Sequence, residues 1–177
     1  MFGTTHASVG IVISQHVDKP LNIFLLAILS HFILDFIPHG DERLYHDEEW
    51  KENKKYKRVT IITAIDLTLL ITMTLILYST NDLPRMALIS AGIIGSTLPD
   101  LLNQVLPVFH EKLNWLFVVR WLHKFLKSFR LGTFLKAHNS LHGWLHRAAH
   151  FRVPAKVGLT LQAVITFVGL YLAFGFK

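Results

Sequence analysis

Residues 29–41 of the chain read Leu-Ser-His-Phe-Ile-Leu-Asp-Phe-Ile-Pro-His-Gly-Asp, and the interpretation of the rest depends on them. An apolar run that begins at Leu21 ends in this stretch, and it carries His31 and Asp35. Their spacing of four residues places both side chains on one face of a helix. Pro38 lacks an N–H group and restricts the residue before it, so we expect the helix to stop there. The sequence therefore predicts two neighbouring ionisable side chains at the end of an apolar helix.

The composition predicts an all-α protein embedded in a membrane. Hydrophobic residues make up 51% of the 177 residues and charged residues only 17%. The apolar residues are grouped in long blocks, which is typical of chains that lie in a bilayer. We expect one membrane-embedded helical domain over residues 1–177. The net charge of +6 is explained by loops facing anionic lipid, so no specific nucleic-acid partner is predicted.

Four apolar runs predict about four transmembrane helices, since a helix needs about 20 such residues to cross a bilayer. The runs are residues 21–37, 59–78, 88–106 and 154–174. Ahead of them, residues 4–14 predict a short N-terminal helix with a threonine cap. We expect this helix to fold back on the first run as a hairpin, which would return His6 to the end that carries His31 and Asp35. A cleavable signal is not expected, because the N-terminus lacks a basic segment.

Two polar segments set the predicted orientation. Residues 39–58 form a loop with six Lys/Arg and six Asp/Glu, and residues 107–153 are also rich in Lys/Arg. Within the second segment, residues 112–131 mix basic with aromatic and apolar side chains, which is typical of an amphipathic helix lying in the membrane interface. The positive-inside rule places both segments in the cytoplasm. The helix end with His31 and Asp35 then lies near the cytoplasmic face.

Two further aspartates fall within or at the end of apolar runs. Asp66 lies inside the second run, where an ionisable side chain is costly and by default functional. It could ligate a metal, orient a ligand histidine or pair with a cation. Asp100 follows Pro99 at the end of the third run, where ligation competes with a helix-cap role.

Histidine is the remaining source of metal ligands, because the chain has 11 histidines and no cysteine. Four of them are spaced four residues apart: His138, His142, His146 and His150. On a helix this row is about 18 Å long, which is too long for one metal. We predict the first pair as ligands and the second pair as groups that face a phosphate or the interface, beside Arg147. The alternative for any single histidine in a membrane is a hydrogen bond to a neighbouring helix.

With these residues identified, the chain resembles the YdjM-like family of bacterial membrane-bound metal-dependent hydrolases. The shared pattern consists of Thr5-His6, His31-x-x-x-Asp35, Leu98-Pro99-Asp100 and the pair His138 and His142. Residues 31–39 are also similar to a segment of zinc-dependent phospholipase C and its nuclease relatives. The resemblance implies an inner-membrane helical protein whose metal site hydrolyses a phosphoester. The ligands that it implies are His6, His31, Asp35, Asp100, His138 and His142.

We therefore expect a membrane-bound metal-dependent hydrolase that acts on a lipid or lipid-linked phosphate at the cytoplasmic membrane face. One to three divalent ions would be held by imidazoles and carboxylates, with zinc favoured by the histidine content and manganese as the alternative. A metal-activated water would attack the phosphoester. Asp66 and Arg147 are the predicted catalytic groups, and Arg147 would stabilise phosphate charge.

Two hypotheses of other classes stand beside this one. The first is a non-enzymatic membrane protein that binds or passes a divalent cation or a proton, with Asp66 in mid-helix as its signature. The distal halves of the apolar runs carry few polar groups, which favours the enzyme. The second is a membrane scaffold with structural histidines, whose basic helix docks a partner or anionic lipid.

Overall fold

The computed structural model describes residues 1–37, 39, 52–101 and 153–174, and the single positions 133, 137, 140, 141 and 144. Five helices occupy the described ranges, and no strand occurs among these residues. They are α1 (Gly3–His16), α2 (Pro20–Phe36), α3 (Glu52–Thr80), α4 (Leu83–Asp100) and α5 (Ala155–Phe174). The all-helical fold class predicted from the sequence is confirmed for this part of the chain.

The short helix α1 lies at the centre of the bundle and contacts each of the other four helices. Its residues are mostly small or polar, and eight of them are buried. Small side chains let several helices approach one axis closely. The predicted packing of α1 against α2 is confirmed, but α1 is surrounded by helices and is not half of an isolated hairpin. The predicted threonine cap is wrong, because the helix begins one residue before the threonines and Phe2 is the N-cap residue.

Glycines determine the closest helix crossings. A Cβ atom on Gly10 of α1 would overlap the backbone carbonyl of Gly92 of α4, and a Cβ on Gly92 would overlap that of Gly10. A Cβ on Gly95 would lie 2.6 Å from the carbonyl oxygen of Phe24 in α2. Since α4 crosses both α1 and α2 at backbone contact distance, these three helices form one tightly packed unit.

Local signals in the sequence mark several helix ends. Pro20 is in the first turn of α2, where its missing N–H costs nothing. Asp82 caps α4, since its Oδ1 accepts a hydrogen bond from the Arg85 backbone N–H at 3.0 Å. Only Asn81 and Asp82 separate α3 from α4, so the connection between these helices is tight. The predicted loop at residues 39–58 is too long, because α3 begins at Glu52 and its first turns are rich in residues that favour helix.

Two described helices are long and apolar enough to cross a membrane, and they include Ile61–Thr80 and Lys156–Phe174. Most of their side chains point away from the bundle. Helix α2 is apolar but shorter, at 17 residues. Two apolar helices suggest association with a membrane, and the count of about four spans stays a prediction. The interfacial helix predicted at residues 112–131 lies outside the described residues.

Candidate metal centre

The pair predicted at the end of α2 is formed. His31 Nε2 lies 3.2 Å from Asp35 Oδ2, and both side chains are fully buried. Asp35 is the second-to-last residue of α2, so the pair lies at the end of the helix. The i, i+4 spacing on one helix is sufficient to produce this contact.

His6 joins the pair from the first turns of α1. Its Nε2 lies 3.3 Å from Asp35 Oδ1, and its ring stacks on that of His31 with centroids 4.1 Å apart. The predicted return of His6 to this end is confirmed. His6 is fully buried, and neither of its ring nitrogens has hydrogen-bond geometry with a described group. Such a side chain is costly unless another partner satisfies it.

A backbone carbonyl orients the ring of His31. The Nδ1 atom lies 2.9 Å from the carbonyl oxygen of Ser96 in α4. A carbonyl only accepts hydrogen bonds, so Nδ1 carries the proton and donates it. In the neutral imidazole, Nε2 then bears the lone pair that a metal requires. The assigned tautomer therefore directs a ligand atom towards Asp35 and His6.

Asp100, the last residue of α4, completes the group. Its Oδ1 lies 3.9 Å from His31 Nε2 and its Oδ2 lies 3.9 Å from His6 Nε2. One ligand atom from each of the three residues lies within 4.8 Å of the others. The side chain of Asp100 is 22% exposed, whereas the two histidines are fully buried. The group is therefore closed on the histidine side and open on the Asp100 side.

The donor set fits a cation. Carboxylate oxygens accept hydrogen bonds only, and His31 in its neutral form presents a lone pair to them. The Met1 amino group supplies one positive charge, 3.2 Å from Asp35 Oδ1, and a metal ion would supply the charge that the acceptors facing one another at His31 and Asp100 still require. Burial lowers the pKa of His6, which favours its neutral, ligating form, whereas at His31 burial is outweighed by contact with Asp35, which raises the pKa of that ring. The buried group of His6, His31 and Asp100 could hold a metal ion, with Asp35 in contact with both imidazoles.

Asp66 is engaged elsewhere. Its Oδ2 accepts from the Gly3 backbone N–H at 2.9 Å, and its Oδ1 accepts from the backbone N–H and the hydroxyl of Thr4 at 3.1 and 2.5 Å. Asp66 therefore binds the N-terminus of α1 and is not part of the group at His6, His31 and Asp100. Its catalytic role stays a prediction.

A network of hydrogen bonds around His39 and Gln162, which was not predicted from the sequence, supports this end of the bundle. The Gln162 side chain, on α5, donates from Nε2 to the His39 carbonyl at 3.0 Å and accepts at Oε1 from the Phe2 N–H at 2.7 Å. The His39 ring donates from Nδ1 to the Ile37 carbonyl at 2.7 Å, and its Nε2 lies 3.2 Å from the Met1 nitrogen. An amide inside an apolar run is itself unusual, and that was the available signal for Gln162.

Three of the predicted site residues, His138, His142 and Arg147, lie outside the described residues. Their roles stay predictions. The structure brings together His6, His31, Asp35 and Asp100 of the six predicted ligands.

No known family model matches the chain, and no curated protein or solved structure matches it either. The resemblance to the YdjM-like family and to zinc-dependent phospholipase C stays a prediction from short motifs.

Proposed function

We propose that the protein is a membrane-bound metal-dependent hydrolase that cleaves a phosphoester. The observation that carries the proposal is the convergence of His6, His31 and Asp100 from three helices, with their ligand atoms within 4.8 Å. His6 and Asp100 are 94 residues apart in the sequence, and the fold brings them together. Buried ionisable side chains are expensive in an apolar bundle, and a functional site is the usual reason to retain them.

The residues that would hold the metal are His6, His31 and Asp100, with Asp35 beside both imidazoles as the further carboxylate. Two imidazoles with carboxylates form a donor set that suits zinc, and manganese is the alternative. At such a site, a divalent ion lowers the pKa of water and neutralises charge on a phosphoryl group. The Ser96 carbonyl keeps the His31 ring in the ligating tautomer. The exposed edge of Asp100 is the side from which water and substrate would enter.

The position of the group supports a lipid or lipid-linked phosphate as substrate. His6 is near the start of α1, whereas Asp35 and Asp100 are at the ends of α2 and α4, so the group lies at one end of the bundle. Asp66 binds the start of α1. It lies five residues after Ile61, where the apolar segment begins, which is about 7 Å along the helix. At this depth a lipid headgroup could reach the site. Lys and Arg are concentrated in residues 39–58 and 107–153, and the positive-inside rule argues for the cytoplasmic face.

Passage of an ion through the bundle is the competing hypothesis. Beyond the site, the backbones of Gly10 and Gly92 are in contact, which leaves no room for an ion between α1 and α4 at that level. This contact argues for a site that binds and reacts at one end of the bundle.

The first experiment is elemental analysis of the protein purified in detergent. Wild type is compared with His31→Ala/Asp35→Ala, and His16→Ala is the matched control, because His16 is an exposed histidine on the same helix as His6. We expect near-stoichiometric zinc or manganese in wild type and in the control. The double variant should lose it.

The second step is a screen of phosphoesters with the metal-loaded protein. Hydrolysis of phospholipid or lipid-linked substrates that is lost in His31→Ala/Asp35→Ala would support the proposal. Metal binding without hydrolysis would favour a non-enzymatic cation-binding protein. If the wild type stays metal-free after reconstitution with zinc, the hydrolase proposal is wrong and the membrane scaffold is the remaining hypothesis.

A further inference from the structure

We propose that Asp66 is a positioning residue, which holds His6 in the metal centre by capping α1 from the neighbouring helix α3. This inference rests on the proposed function for the identity of the centre. The capping contact itself can be tested without metal.

Helix α1 needs a cap that its own sequence does not supply. The first four N–H groups of a helix have no partner within the helix. The N-cap residue is Phe2, which makes no side-chain capping bond. A helix of 14 residues is only marginally stable in isolation. Some other part of the chain must therefore satisfy the start of α1.

Asp66 does so with both carboxylate oxygens. Three donors of the first turn, the Gly3 N–H, the Thr4 N–H and the Thr4 hydroxyl, bind it at 2.5 to 3.1 Å. A negative charge at a helix N-terminus is also favoured by the helix dipole. The fit is close, since a Cβ on Gly3 would lie 3.2 Å from Asp66 Oδ2. These bonds explain why a carboxylate is retained inside the apolar segment Ile61–Thr80.

The cap acts on the metal centre through His6. His6 follows Gly3 by three residues, so its backbone belongs to the turn that Asp66 holds. The His6 ring is held by its backbone, by stacking on His31 and by the 3.3 Å contact of its Nε2 with Asp35 Oδ1, and of these the backbone is the part that Asp66 holds. Asp66 is not among the residues whose ligand atoms converge. It thus acts through His6 and not on the metal.

The first test uses metal-free protein and two capping aspartates. Asp66→Asn is compared with Asp82→Asn, because Asp82 caps α4 at the end of that helix opposite Asp100. Loss of charge-assisted hydrogen bonds predicts roughly 10- to 100-fold faster hydrogen exchange of the Gly3 and Thr4 amides in Asp66→Asn. The His6 ring should also react faster with diethyl pyrocarbonate. Asp82→Asn should change neither. Unchanged exchange and reactivity in Asp66→Asn would overturn the proposal.

The second test measures zinc affinity in a double-mutant cycle. We expect Asp66→Asn to weaken zinc binding by about 10- to 100-fold, as is typical of residues that orient a ligand. The same substitution should cause no further loss in a His6→Ala background, but its full loss in an Asp100→Ala background. An equal loss in all backgrounds would show general loosening of the bundle and would overturn the positioning role.

Thr4→Val is a milder variant that removes a single donor to Asp66, and it serves if Asp66→Asn does not fold. Thr4→Val should speed amide exchange and the modification of His6 and should weaken zinc binding, each to a smaller extent than Asp66→Asn. A wild type that binds no zinc would refute the proposed function, whereas amide exchange and His6 reactivity would still decide whether Asp66 holds His6.

Discussion

The contacts of His31 show which features of a side chain at the candidate site are determined by residues nearby in the sequence. Its contact with Asp35 follows from a spacing of four residues on one helix, and the sequence predicted it. Its tautomer depends on the Ser96 carbonyl, which is 65 residues away in the chain. A backbone acceptor leaves no mark in a sequence, because every residue has a carbonyl. The pair was therefore predictable, but the orientation of the ring was not.

The hydrogen bonds of Gln162 predict that this single side chain contributes measurably to the stability of the bundle. Gln162→Leu keeps the size of the side chain but leaves the partly buried Phe2 N–H and the buried His39 carbonyl without their partner. We expect a loss of about 1–3 kcal/mol in the free energy of unfolding, measured by denaturation in detergent. Gln15→Leu is the control, because Gln15 is only half-buried and contacts Arg85 at the other end of α1. An equal effect of both substitutions would contradict the assigned role of Gln162.

Helix α1 is the element on which the site depends. Its length and composition predicted a short helix, and its position at the centre follows from its small residues. Which helices would surround it was not readable from the sequence. Gly10, Gly92, Gly95 and Gly169 are spread over three helices, and only the assembled bundle shows that each lies at a crossing.

Gly10→Ala tests this crossing. In the interior of a helix, replacing glycine by alanine normally stabilises by about 0.5–1 kcal/mol. At Gly10 the new Cβ would overlap the Gly92 carbonyl, so we expect the opposite sign, a destabilisation of about 1–3 kcal/mol. Thermal unfolding in detergent measures it. Because His6 is on the same helix, zinc affinity should fall as well. A stabilised variant would show that α1 and α4 are not in backbone contact.

At the scale of the whole molecule, the bundle turns its apolar side chains outward. Polar and ionisable groups are collected around α1, whereas α3 and α5 expose leucine, isoleucine, valine and phenylalanine. So much exposed apolar surface is atypical of a water-soluble bundle, and it suits a bilayer as solvent. The apolar runs predicted it, since they contain too few polar residues to cover an aqueous surface.

Phe167→Arg distinguishes lipid from water as the surroundings of α5. Phe167 is 72% exposed in the middle of Lys156–Phe174. In a bilayer, arginine at this depth costs about 2.5–3.5 kcal/mol of insertion free energy, so the yield in the membrane fraction should fall strongly. Leu83→Arg is the control, because Leu83 is 82% exposed but lies outside both apolar segments. If both variants accumulate like wild type, or in the soluble fraction, the membrane assignment is wrong.

The sequence by itself determined the helical class, the long apolar helices, the place of Pro20 in the first turn of α2 and the contact of His31 with Asp35. Each of these depends on residues within a turn or two of one another, or on bulk composition. Only the tertiary structure decided that Asp66 caps α1 and that Gln162 joins α5 to His39. The physical reason is the distance along the chain. Propensity and spacing act over a few residues, whereas packing brings together Gly3 and Asp66, which are 63 residues apart, and His39 and Gln162, which are 123 residues apart.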